Sequence, residues 1–175
     1  MRKMPKLGAA KYKRQAQTGF TLIELLIVVA IILIIAAIAI PNFLRSKMAA
    51  NQAAAVSTVR TIVTAQVTYS STYGEGYAPS LMDLGGGTPC TASSTSACLV
   101  DPVLSTGAKG GYNFETAANG TNNVGLEADA WPITANVTGT YSYCSDESGV
   151  IRYSATGGQI GDAAGSCSGV LTALQ

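Results

Sequence analysis

The chain has 175 residues, 47% hydrophobic and 12% charged, enough for one domain of ordinary size and an appended segment. Six of its eleven basic residues, Arg2, Lys3, Lys6, Lys11, Lys13 and Arg14, fall within residues 1–19, which hold no acid; the remainder sets five basic residues against all ten acids. Such a body excludes a general nucleic-acid coat, which needs clustered Lys and Arg. The absence of histidine removes the commonest acid–base residue and metal ligand, so neither catalysis nor a metal or other cofactor is expected.

In chain order, the basic leader is followed by nineteen residues from Leu22 to Ile40, LIELLIVVAIILIIAAIAI, in which Glu24 is the sole polar side chain. At about 1.5 Å rise per residue, such a helix spans roughly 30 Å, the thickness of a bilayer's hydrocarbon. Basic residues before the run and few after it place the leader in the cytoplasm and the body outside. A cleaved secretory signal is the rival reading of this segment, but its apolar region usually covers about 7 to 15 residues and this run is longer.

Glu24 needs an explanation, because an ionised carboxylate at mid-helix in lipid costs about 2.5 to 3.5 kcal/mol on insertion scales. One reading is local. Thr21 and Glu24 stand at the S/T-x-x-E spacing of a capping box, where the carboxylate answers the cap's backbone N–H at the positive end of the helix dipole.

The second reading starts from the combination of residues: a basic leader, then Gly19, Phe20, Thr21, Leu22, Ile23 and Glu24, then the apolar run and Pro41. In this the chain resembles the type IV pilins and their relatives, the pseudopilins. The resemblance implies that a membrane-embedded prepilin peptidase cuts between Gly19 and Phe20 and methylates the new amine of Phe20. It also implies that Glu24 pairs with a terminal amine as subunits dock, setting their register. A buried pair adds little net stability, yet an unpaired member is costly, and that asymmetry selects the correct register. The implied architecture is α+β: a leader over residues 1–19, an N-terminal helix over 20–73 that spans the membrane at 22–40, and a head over 74–175 with an antiparallel sheet.

Pro41 removes a helical hydrogen bond and is expected to kink or loosen the helix after Ile40. Beyond it Met48, Val56, Val59, Ile62, Val63 and Val67 recur every three or four residues, which predicts an amphipathic helix burying its valine side and leaving Arg45, Lys47, Gln52 and Arg60 outside. The helix is expected to end before Gly74. Tyr69, Tyr73 and Tyr77 follow at four-residue spacing and are read as packing at a helix terminus.

From Gly74 onward the helical period disappears. Residues 84–98, LGGGTPCTASSTSAC, read as an exposed loop, its hydroxyls solvated. Strands are expected at Tyr112–Thr116, Val124–Ala128, Ile133–Val137, Thr140–Cys144 and Val150–Ser154, the last two joined in a hairpin through Ser145–Gly149. Asp146 and Glu147 are read as turn residues, since calcium demands several converging oxygens. Four cysteines in an exported body imply two disulfides. Three pairings are open, and nearness along the chain favours Cys90 with Cys98 and Cys144 with Cys167. The resemblance casts the glycine-rich segment closed by Cys167 as the exposed, contact-making C-terminal loop of pilins.

The function this implies is a non-enzymatic subunit that polymerises with copies of itself into a surface pilus for adhesion, twitching motility or DNA uptake. Its path leads from the inner membrane to the cell surface. The partners implied are the prepilin peptidase, an assembly platform and an ATPase motor, with DNA or surfaces as targets and no small-molecule substrate. A pseudopilin of a type II secretion system shares everything before residue 60. A single-pass binding protein that keeps its leader and never polymerises is the reading from a different class. The leader is long for chains of this kind, and Met4 is an alternative start.

Overall fold

In the computed structural model, residues 19–160, 167 and 172–174 are described; the leader up to residue 18 and most of the glycine-rich stretch after residue 160 lie outside them. The chain divides into two units, Met1–Ile40 and Pro41–Gln175. The fold is α+β, a long N-terminal helix and a six-stranded antiparallel sheet.

The helix, α1, is Leu22–Tyr73, 52 residues, and contains Pro41 without ending there. In the first unit every described side chain is exposed except the half-buried Ala36. Leu, Ile and Val occupy all sides of the helix, so no polar face exists to turn toward water. The segment is long and apolar enough to cross a membrane.

In the second unit α1 buries Ala55, Val59, Ile62, Ala65, Gln66 and Tyr69, a line at the three- and four-residue steps of one helix face. The expected valine side is therefore displaced. Met48, Val56 and Val63 are half-buried at its margins, and Val67 is 53% exposed, because the line runs through its neighbour Gln66. Arg45, Lys47 and Arg60 are exposed and Gln52 is half-buried. Gly74, at φ 70°, terminates α1 by taking the left-handed conformation that glycine adopts without steric cost, and its N–H donates to the Ser70 carbonyl at 3.0 Å.

Two short helices that sequence periodicity did not reveal follow. In α2 (Leu81–Leu84) the Ser80 hydroxyl accepts from the Asp83 N–H and donates to the Asp83 carboxylate at 2.6 Å. In α3 (Pro102–Ser105) the Asp101 carboxylate caps the N–H groups of Val103 and Leu104 at 3.1 and 3.0 Å. Four residues are too short for periodicity to register, so the capping residues carry the signal.

The sheet is a meander of β1 (Ala108–Lys109), β2 (Tyr112–Asn119), β3 (Gly125–Pro132), β4 (Ser142–Asp146), β5 (Ile151–Ser154) and β6 (Thr172–Ala173), each antiparallel to the next. Tyr112, Phe114, Ala128, Ala130, Tyr143 and Ile151 join the α1 line in one core. The other face is covered as well. Glu127, Asp129 and Cys144 are all nearly inaccessible, and Gln159 crosses to donate to Glu115 at 2.7 Å. Within β3, residues 126–130, LEADA, alternate apolar and polar side chains as a half-solvated strand does, yet Glu127 and Asp129 are buried too, so the alternation does not report the covered second face.

Four of the five expected strands overlap β2–β5, and the predicted hairpin is present, with Ser145 opposite Ile151 and Gly149 donating to the Asp146 carbonyl at 3.0 Å. Ile133–Val137 is not a strand. Asn136 at φ 61° turns the chain there, its N–H donating to Gly139 at 2.8 Å, while Ile133 and Val137 are exposed. Their β-branched side chains have nothing to pack on, so β-propensity is overridden by the turn.

Candidate assembly and processing site

The start of α1 gathers the residues singled out by sequence. Thr21 lies one position before the helix, and the geometry there is a reciprocal capping box. The Thr21 backbone N–H and hydroxyl donate to Glu24 Oε2 at 2.9 and 2.6 Å, and the Glu24 N–H donates to Thr21 Oγ1 at 3.3 Å. One carboxylate oxygen thus satisfies two donors at the end of the helix, where backbone N–H groups have no intrahelical partner. Glu24 is the acidic residue of the first turn.

Immediately upstream, Phe20 is 80% exposed. A Cβ placed on Gly19 would meet no atom within 4 Å, and Gly19 has no positive φ. The chain's own packing therefore makes no demand for glycine at position 19.

In the second unit, disulfides join Cys90 to Cys98 and Cys144 to Cys167, with Cα atoms 6.1 and 5.7 Å apart. The first closes a mostly exposed loop; the second ties the C-terminal segment to β4, where both sulfurs are buried. Tyr69 and Tyr73 pack with ring centroids 4.8 Å apart, and the Tyr69 hydroxyl donates to Ser94 at 2.7 Å. Tyr77 follows the break at Gly74–Gly76, so the spacing of three tyrosines does not continue on one helix.

Gln66 escaped the sequence reading. It is fully buried; its Nε2 donates to the Ala78 carbonyl and Thr116 Oγ1 at 3.1 and 3.0 Å, and its Oε1 accepts from the Ala78 N–H at 2.7 Å. One amide thereby fastens α1 both to the loop after it and to β2. Its position on the Val59–Ile62–Tyr69 face was the only available signal.

An apolar helical segment with no buried side chains, capped by its only acid and followed by a helix-on-sheet head, defines the class of α+β chains with an N-terminal helix long and apolar enough to cross a membrane. Residues 14–40 match the family model described as the prokaryotic N-terminal methylation motif. The type IV major pilin protein PilA of Myxococcus xanthus (strain DK1622) is 53% identical over 53 residues, 30% of this chain and 24% of that protein. The match thus spans about a quarter of the relative's length. No solved structure matches the chain significantly. The N-terminal segment thus carries the prokaryotic methylation motif and is similar to that of a type IV major pilin.

Proposed function

We propose that this chain is a structural subunit of a type IV pilus. Prepilin peptidase removes the leader between Gly19 and Phe20 and methylates the Phe20 amine; the span from Leu22 to Ile40 holds the subunit in the inner membrane until an assembly platform and its motor draw it into a surface filament. The observation that carries this is the wholly exposed apolar helix behind a methylation motif. Such a surface is stable only in lipid or against like helices. Gly19 supports the cleavage step, since a glycine the fold does not require is available to an external reader. The pseudopilin reading shares this segment; the likeness to a protein named a major pilin favours the surface fibre.

The capping box makes the test discriminating. Glu24→Gln keeps a hydrogen-bonding carbonyl for Thr21 and removes the charge, whereas Thr21→Ala removes the cap's hydroxyl and keeps the charge. With register set by amine–carboxylate pairing, Glu24→Gln leaves membrane insertion intact and abolishes surface filaments in electron micrographs, while Thr21→Ala retains them. Filaments at normal density from Glu24→Gln cells refute the pairing role.

A further inference from the structure

Within the second unit, an open cavity of about 490 Å³ lies between α1 and the β4–β6 end of the sheet, inside the range of small-ligand sites, roughly 300 to 1,000 Å³. Three tyrosines wall it, Tyr141, Tyr143 and Tyr153, with Gln52 of α1, Thr172 of β6 and Leu174 just beyond that strand. The rings of Tyr141 and Tyr153 meet edge to face, centroids 5.5 Å apart at 85°. The backbone beside Tyr141 is held in place, because the Tyr112 hydroxyl donates to the Tyr141 carbonyl at 2.9 Å.

Tyr143 is the telling residue. It is 4% exposed, it belongs to the cavity wall, and its hydroxyl makes no hydrogen bond among the described residues. The hydroxyl is not among the atoms shut away from solvent, so it is free to donate to a molecule that enters the cavity. Burial pushes the Tyr143 phenol's pKa up, so it remains a donor throughout the physiological range.

We propose that this cavity binds a neutral saccharide unit through the Tyr141 and Tyr153 rings, with the Tyr143 hydroxyl, the Gln52 amide and the Thr172 hydroxyl answering the sugar's hydroxyls. Among the described residues the lining holds no side chain charged at neutral pH, and Arg60 lines only the adjoining recess, so the described wall favours a neutral ligand over an anionic one. A purely apolar ligand leaves a phenol, an amide and a hydroxyl unanswered. A sugar ring satisfies both constraints: its C–H face lies against the negative face of an aromatic ring, and its hydroxyls pair with the polar groups around it. This activity is independent of polymerisation and stands or falls separately from it.

The test uses the full chain in lauryldimethylamine oxide micelles, whose headgroup carries no sugar, with maltose and lactose as probes in saturation-transfer NMR. Saturable transfer with a millimolar dissociation constant is expected from at least one of them. Tyr141, 38% exposed and outside the core, is replaceable without loss of fold: Tyr141→Ala weakens binding about tenfold, the loss of one ring platform, and Tyr141→Phe, which keeps the ring, stays within about threefold of wild type. Absence of saturable transfer from both sugars overturns the proposal, as does equal binding by wild type and a folded Tyr141→Ala chain.

Discussion

Replacing Gln66 with leucine isolates the most consequential polar contact in the head. The side chain is fully buried and makes three hydrogen bonds, two with the backbone of Ala78, itself completely inaccessible, and one with Thr116. Leucine fits the volume and answers none of them. The Ala78 N–H is then left buried without its acceptor, at a cost of about 1 to 3 kcal/mol, and the loss of the Ala78 carbonyl's donor adds about 1 kcal/mol. Thr116 suffers less, because its hydroxyl still donates to the Glu127 carbonyl at 2.8 Å. Leucine's apolar burial returns about 1 kcal/mol. The net expectation is a destabilisation of about 1 to 3 kcal/mol, which for a unit of this size lowers the melting midpoint by roughly 4 to 12 °C. Near-UV circular dichroism of the full chain in micelles measures it, with Val67→Gln at the exposed neighbouring position as a control that stays near wild type. A Gln66→Leu midpoint equal to or above wild type refutes the reasoning that this amide fastens α1 to the sheet.

Two further predictions follow from the head. Gly139→Ala places a Cβ against the hydroxyl and ring of Tyr112, a fully buried side chain, so overpacking destabilises the head by about 1 to 3 kcal/mol in the same melt. Asp101 is held below its ordinary carboxylate pKa, first by its hydrogen bond from Lys109 at 2.7 Å and then by the N–H groups it caps. A lowered folded-state pKa contributes stability that is present above the unfolded value and lost as pH falls through the folded one. Asp101→Asn is therefore less stable than wild type at neutral pH and loses less on acidification, read from urea midpoints across an acid series. Convergence of the two proteins only at high pH contradicts that sign.

The division between what sequence disclosed and what it did not has physical causes. The helix from Leu22 was legible because a nineteen-residue run, apolar except for Glu24, at bilayer length admits few other structures, and the hairpin across Ser145–Gly149 was legible from turn residues between two strand-like runs. The Thr21–Glu24 cap was also readable, as a local spacing. What failed depended on distant chain. Ile133–Val137 has strand propensity and no surface to pack on, while Gln66 looks solvent-facing by type and is placed in the core by a loop twelve residues away. The cavity tyrosines come from segments that only the meander brings together; in sequence, TYSYC and VIRYS announce strands and nothing of a shared wall.

Intact mass and N-terminal fragmentation of the chain recovered from filaments sheared off whole cells address the pilus subunit most directly. The account predicts a polypeptide that begins at Phe20 and is one methyl group heavier at its amine. A chain that begins ahead of Phe20, or one found solely as detergent-extracted monomer in the membrane fraction, contradicts it.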